Sequence, residues 1–180
     1  IDVDIIALQE VLYRNKHDYS KQLAKDLGYY HASSRPYQYM SKRSSWLLSF
    51  LSKYPITAKS EKKLGYYRKA FRVSMMIHGK KVTLTTTHLS PFVWSNKSLF
   101  VANMRRSRMR KRELYDLLTW IGKPKGYAIV LGDFNSIPLM GELSIMDDYG
   151  YFDVYDDLGI KNHGTFPLNP YIYTVAKKYI

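Results

Sequence analysis

The chain has 180 residues, of which 46% are hydrophobic and 24% charged, a composition typical of one globular domain. It contains no cysteine, which excludes disulfide frameworks, thiolate metal sites and cysteine nucleophiles. No apolar stretch approaches the roughly 18 residues of a membrane-spanning helix, so we predict a single domain over residues 1–180 without a transmembrane segment.

The first third of the chain predicts two strands and a helix. Residues 4–9 are a short apolar run bounded by polar residues, which indicates a buried strand. Residues 20–27 predict an amphipathic helix that ends at Gly28. Residues 45–52 predict a second strand, which stops before Pro55.

The rest of the chain predicts more strand than helix. Residues 71–77 and 81–87 are rich in β-forming side chains, and the short connection between them is typical of an antiparallel hairpin. Residues 95–121 predict a long helix, and residues 127–131 predict another buried strand. The pattern favours a mixed α/β layered domain over a repeating βαβ unit.

The net charge of +13 is unevenly distributed along the chain. Residues 62–112 contain 14 lysines and arginines and no acidic residue, whereas residues 113–160 contain nine acidic residues and two lysines. The densest basic run consists of Arg105, Arg106, Arg108, Arg110, Lys111 and Arg112. Such a run either binds a polyanion or covers the solvent face of a helix, and we keep both interpretations.

Three predicted strands are each followed directly by polar or ionisable residues. Glu10 follows residues 5–9, His88 follows residues 82–87, and Gly132-Asp133-Phe134-Asn135 follows residues 128–131. A charge at the end of a core strand is costly unless it is paired or bound to a ligand. If the strands share a sheet, these groups converge on one cleft, where carboxylates suit a hard cation such as Mg²⁺.

Each of these groups also has a structural explanation. Glu10 could start a helix, His88 could make one backbone hydrogen bond, and Asp133 with Asn135 could cap a turn. Taken singly, each group is better explained by structure than by function. The functional interpretation therefore depends on the whole set.

Together, the segments resemble the endonuclease/exonuclease/phosphatase superfamily, which has the deoxyribonuclease-I-like fold. Residues 4–11 are similar to its D-x-x-x-L-Q-E segment, Thr87-His88-Leu89 to its T-H-L strand end, and residues 132–135 to its G-D-F-N segment. Weaker similarities follow the family order at residues 46–56, 68–70 and 164–167. The resemblance covers nearly the whole chain.

The resemblance implies an α/β (α+β) fold, a four-layer α/β/β/α sandwich, and a hydrolase that cleaves phosphodiester bonds with Mg²⁺ or Mn²⁺. Glu10 would be a metal ligand, and Asp133 would orient or activate the attacking water. Asn135 would position the scissile phosphate, and His88 would hydrogen-bond a phosphate oxygen and stabilise the transition state. Arg68 is a further candidate for phosphate contact.

Parts of the family pattern are not found in these 180 residues. A strand ending in W-N would precede Ile1. Lys178-Tyr179-Ile180 resembles the start of the R-I-D-Y-I segment, and a segment like S-D-H would follow later. We therefore expect the middle of a longer domain, with the first strand and the C-terminal strands missing. We also expect little or no activity from these residues alone.

The motifs do not select a substrate. The basic run favours nucleic acid, in which case residues 105–112 face the same side as Glu10 and Asp133. The 17 tyrosines could stack on bases, but packing at the edge of the core explains most of them better. The apolar residues 90–94 leave open a phospholipid, sphingomyelin or inositol phosphate substrate at an anionic membrane surface. The third alternative is a non-catalytic, basic nucleic-acid-binding module. We expect a monomer, and the sequence does not decide the compartment.

Overall fold

A computed structural model describes residues 3–41, 44–65, 67–91, 99–136 and 141–159. The strands are β1 Ile5–Arg14, β2 His17–Asp18, β3 Tyr30–Ser33, β4 Tyr37–Ser41, β5 Ser44–Ser52, β6 Ile56–Leu64, β7 Arg68–Ile77, β8 Lys80–His88 and β9 Tyr127–Asp133. The helices are α1 Tyr19–Leu27, α2 Leu99–Ile121, α3 Ile145–Asp148 and α4 Val154–Asp157. None of the described helices is long and apolar enough to cross a membrane.

The strands form two sheets that pack face to face. The first sheet has the order β2-β1-β5-β3, with β4 also paired to β5, and the second has the order β6-β7-β8-β9. Leu48 and Phe50 of β5 pack in one buried cluster with Phe71 and Val73 of β7. Because successive side chains of a strand point to opposite faces, these alternating residues assign one face of each sheet to the core between them.

Each sheet carries a helix on its other face. Ala70 lies on the opposite face of β7 from Phe71, and it packs with Leu114 and Leu117 of α2. On the first sheet, Ser49 lies on the opposite face of β5 from Phe50, and its hydroxyl accepts a hydrogen bond of 2.7 Å from Ser20 of α1. The layers are therefore α1, first sheet, second sheet and α2, which confirms the predicted mixed α/β sandwich.

Most predicted elements are present with small differences in their ends. The helix α1 ends at Gly28 as predicted, because Gly28 adopts the left-handed conformation and its N–H caps the helix. The strand β6 has no counterpart in the sequence predictions, because an edge strand with three lysines and a glutamate lacks an apolar pattern. The predictions at residues 92–98 and 164–167 lie outside the described residues.

The parallel pairing of β8 with β9 depends on Gly132. This residue pairs with Thr87, and its φ of +142° is a conformation that residues with side chains rarely adopt. A Cβ atom at Gly132 would lie 2.1 Å from the backbone oxygen of Thr87. Only glycine allows the two strands to approach this closely, one residue before the end of each.

We predict that Gly132→Ala lowers the free energy of unfolding by about 3 kcal/mol or more, because the Cβ meets backbone that cannot move aside. The matched control is Gly126→Ala, at φ +72°, where an added Cβ meets nothing within 4 Å. The control should cost only about 1–2 kcal/mol of left-handed strain. Urea denaturation measures the free energy of unfolding of both variants, and equal losses of stability would contradict the close approach of Gly132 to Thr87.

Candidate active site

Three side chains from both sheets meet at one end of the second sheet. The register of β8 and β9 places His88 beside Asp133. The His88 Nε2 atom lies 3.7 Å from Asp133 Oδ2 and 3.7 Å from Glu10 Oε1 of β1 in the first sheet. A hydrogen bond of 2.9 Å from Gln9 Nε2 to Thr86 Oγ1 links the two sheets next to this point. The convergence expected from the strand ends is therefore present in the fold.

Glu10 reaches this position through an irregularity in β1. The pairing of β1 with β5 shifts between Leu8 and Val11, and Glu10 has a φ of +53°. A bulge of this kind turns a side chain away from the alternating pattern of the strand. Burial, followed by repulsion from Asp133, raises the pKa of Glu10, whereas Arg68 acts in the opposite direction.

His88 lies in a buried pocket of aromatic and cationic side chains. Its side chain is 2% exposed, and its ring stacks on Trp46 with 5.7 Å between ring centroids. The Tyr37 hydroxyl lies 3.2 Å from Nδ1, and Arg68 Nη1 lies 3.4 Å from both ring nitrogens. Burial and the neighbouring Arg68 lower the pKa of His88 to about 4, against a smaller opposite effect of Asp133. The ring is therefore neutral at physiological pH.

Arg68 is a buried cation at the base of the site. It opens β7 and is 5% exposed. Burial lowers its pKa, whereas the carboxylates of Glu113 and Glu10 act in the opposite direction. Arg106 lowers the pKa of Arg68 further, which indicates that a second guanidinium lies near it.

Asp133 and Asn135 are joined in a tight turn. The Asn135 N–H donates to Asp133 Oδ1 over 2.9 Å, and the φ of Asn135 is +49°, a conformation that asparagine tolerates. The side-chain Nδ2 of Asn135 donates to the backbone oxygen of Leu89 over 3.1 Å. This contact orients the Asn135 amide relative to the residue that follows His88.

The basic run does not form one surface. Arg105, Arg108, Lys111 and Arg112 are exposed, and Arg106 is half-buried. Arg110 is fully buried, where its Nε donates over 2.6 Å to Glu142 Oε1. The assignment of Arg110 to a polyanion-binding patch is therefore wrong, because its charge is directed into the protein and compensated by a buried carboxylate.

The direction of α2 places the remaining basic residues near the site. Glu113 bonds to Ser90, two residues after the end of β8. Trp120, about 10 Å further along the helix, lies against Arg72, four residues into β7 from Arg68. Because α2 runs away from the strand ends after Glu113, residues 105–112 lie at the same end of the sheet as Glu10 and Asp133.

Four further residues lie around the site, and the sequence predicted no individual role for any of them. Tyr37 and Trp46 surround His88 from the first sheet, and Ser90 and Glu113 bond to each other beside Arg68. Glu113 carried one usable signal, because it follows an acid-free stretch of 51 residues. Ser90 lies two residues after His88, in the segment 90–94 that the sequence already places beside the site. Tyr37 and Trp46 carried no such signal, since their proximity to His88 depends on how distant strands pair.

The site has the donor chemistry for a hard divalent cation. The carboxylates of Glu10 and Asp133 are each about half exposed, and they repel each other. A divalent cation beside both would remove this repulsion. No group of three or more His, Asp or Glu side chains within the described ranges is arranged to hold a metal ion. Water and substrate oxygens would therefore complete the coordination, as is usual for Mg²⁺.

The sequence matches the Endonuclease/Exonuclease/phosphatase family over residues 1–177. The chain belongs to this family. No match is found among curated protein sequences. Membership confirms the resemblance that the three strand-end motifs suggested.

Solved structures of this fold resemble the chain at low identity. The catalytic domain of human Nocturnin, with bound sulfate, has a TM-score of 0.68 at 18% identity, covering 91% of this chain and 64% of that one. TDP2 of D. rerio with a single-strand DNA product has a TM-score of 0.61 at 21% identity, covering 89% and 59%. A mutant beta toxin of Staphylococcus aureus with bound magnesium ions has a TM-score of 0.57 at 18% identity, covering 84% and 59%. The chain spans about three fifths of the length of these proteins.

We predict that His88 titrates well below the usual pKa of histidine, which is about 6.5. As the pH falls from about 6.5 towards 4, the unfolded chain takes up a proton at this residue that the folded chain does not. The free energy of unfolding therefore falls over this window. NMR titration of the His88 ring measures the midpoint directly, and a midpoint at or above 6.5 would contradict the effect of burial. A His88→Gln variant should lose this part of the pH dependence.

Proposed function

We propose that this protein is a metal-dependent hydrolase that cleaves phosphodiester bonds in nucleic acid. The observation that supports the reaction class is the meeting of Glu10, His88 and Asp133 in front of the buried Arg68. This arrangement has negative groups for a cation and positive or neutral donors for a phosphate. Family membership and the magnesium-bound structural neighbour agree with this chemistry.

Glu10 and Asp133 are the residues that would hold Mg²⁺ or Mn²⁺ or the water bound to it. Held by these carboxylates, such an ion would supply Lewis-acid chemistry by neutralising phosphate charge and polarising a phosphoryl oxygen. Asp133 is half exposed and can accept a proton from the attacking water. Asn135 uses one amide N–H on Leu89 and has a second N–H for a phosphate oxygen.

His88 and Arg68 act on the phosphate in different ways. The neutral ring of His88 can donate one N–H to a phosphate oxygen without adding charge. Arg68 supplies positive charge from a buried position, where its interaction with developing negative charge is weakly screened. The ring is held in place before substrate binds, since Tyr37 and Trp46 contact it, and Arg68 in turn contacts the ring.

The choice of nucleic acid rests on the exposed part of the basic run. Arg105, Arg108, Lys111 and Arg112 are exposed at the site end of the sheet, and Arg106 is close enough to affect Arg68. Successive phosphates of a bound strand could therefore contact α2 while one phosphate lies at Asp133. The DNA product in the TDP2 neighbour is consistent with such a substrate on this fold.

A lipid-directed phosphodiesterase is the second candidate. Two methionines of α2 are exposed beside the arginines, Met104 (42%) just before Arg105 and Met109 (41%) between Arg108 and Arg110. A helix face that combines arginine with exposed apolar side chains is typical of contact with an anionic membrane. The experiments below separate this candidate from the first.

We predict that Asp133→Asn lowers kcat for bis-p-nitrophenyl phosphate and for a single-strand oligonucleotide by about 10²–10⁴-fold, because the proton acceptor is lost. EDTA should abolish the activity of the wild-type protein, and Mg²⁺ or Mn²⁺ should restore it. The control is Asp26→Asn, an exposed aspartate of α1. Salt-dependent nucleic-acid binding without hydrolysis by the full-length protein would instead identify a non-catalytic binding module.

We predict that the double variant Arg105→Ala/Arg108→Ala weakens oligonucleotide binding and lowers the slope of log K against log salt by about 2. The control, Lys21→Ala/Lys25→Ala, removes two exposed charges from α1 in the opposite outer layer. Fluorescence anisotropy at several salt concentrations measures both variants. Loss of binding to vesicles of anionic lipid, with oligonucleotide binding unchanged, would favour the lipid candidate.

A further inference from the structure

We propose that Arg110 and Glu113 of α2 form a clamp that positions Asn135 and His88 for the reaction. This inference rests on the proposed function. The clamp joins Ser90, two residues after His88, to Glu142, nine residues after Asp133. Neither residue touches substrate, so both are positioning residues.

Glu113 holds the segment after His88 with both carboxylate oxygens. Its Oε2 accepts a hydrogen bond of 2.8 Å from the Ser90 N–H, and its Oε1 accepts one of 2.6 Å from the Ser90 hydroxyl. Glu113 and Ser90 are each 3% exposed. Two charge-assisted bonds to one residue, shielded from water, fix its position and its orientation.

Arg110 lies one helical turn before Glu113 and connects the same segment to the other loop. Its Nη1 donates to the Ser90 backbone oxygen over 3.4 Å, and its Nε donates to Glu142 Oε1 over 2.6 Å. Glu142 lies seven residues after Asn135 and has a fully buried side chain. One turn of α2 therefore contacts both Ser90 and Glu142.

The clamp reaches Asn135 through Leu89. The Leu89 backbone oxygen accepts from Asn135 Nδ2 over 3.1 Å, and its N–H donates to the Asp133 backbone oxygen over 2.9 Å. Because Leu89 directly precedes Ser90, holding Ser90 also fixes the carbonyl that orients the Asn135 amide. A rotated amide would point its second N–H away from the phosphate.

The clamp also acts on His88 through charge. Glu113 is the strongest of the negative groups that act on Arg68, and Arg68 contacts the His88 ring. Buried ion pairs add little net stability compared with apolar side chains of similar size. The buried charges of Arg110, Glu113 and Glu142 are therefore better explained by a requirement for fixed geometry than by stability alone.

The test compares Glu113→Gln with Asp116→Asn, which removes a charge from the same helix. We expect Glu113→Gln to lower kcat for bis-p-nitrophenyl phosphate at least tenfold with KM changed less than threefold. We expect Asp116→Asn to change both less than twofold. Glu113→Asp, which restores the charge, should recover part of kcat. A rise in KM without a fall in kcat, or equal losses of kcat in Glu113→Gln and Asp116→Asn, would overturn the proposal.

A double-mutant cycle tests the route through Asn135. If Glu113 acts through this amide, Glu113→Gln should lower kcat less than threefold when Asn135 is already replaced by alanine. If Glu113→Gln lowers kcat as much in the Asn135→Ala background as in the wild-type protein, the proposal is overturned. If Glu113→Gln does not fold, Ser90→Ala removes one of the same bonds and takes its place in the cycle.

A measurement without activity separates the clamp from the proposed function. The side-chain amide signals of Asn135 in ¹H–¹⁵N spectra should shift in Glu113→Gln and not in Asp116→Asn. Unchanged signals would overturn the clamp even in an active enzyme. Shifted signals in a protein that hydrolyses no phosphodiester would support the clamp and reject the proposed function.

Discussion

The close contact between Gly132 and Thr87 is the constraint on which the site depends. It allows β9 to pair in parallel with β8 up to their ends, so that the next residues, His88 and Asp133, lie side by side. The sheet-to-sheet bond from Gln9 to Thr86 then brings Glu10 to the same point. If these two backbones moved apart, Glu10, His88 and Asp133 would therefore be separated.

Burial explains the order of charges around this point. The guanidinium of Arg68 and the neutral ring of His88 are both buried and in contact, and Glu113 compensates the charge of Arg68. The carboxylates of Glu10 and Asp133 lie at the surface, where water lowers the cost of their charge. In the proposed function, a cation from solvent would meet these carboxylates, and a phosphate bound between that cation and Arg68 would have positive charge on both sides.

The sequence predicted the elements whose local pattern carries the information. The strands that lead to Glu10, His88 and Asp133 are apolar runs, and α1 has a glycine at its end. The edge strand β6 could not be found, since solvent on one side removes the apolar pattern. Arg110 was misassigned because its partner Glu142 is 32 residues away. Its spacing of four and seven residues from Leu114 and Leu117 nevertheless places it on the buried face of α2.

We propose that residues from both sheets form one cation-binding phosphodiesterase site. Paramagnetic broadening by Mn²⁺ at substoichiometric concentration, followed in ¹H–¹⁵N spectra, tests it most directly. The account predicts that signals of Glu10, His88 and Asp133 broaden together, and that Asp133→Asn weakens the effect at all three. Broadening centred on the acidic residues 153–157, or on only one of the three strand ends, would contradict it.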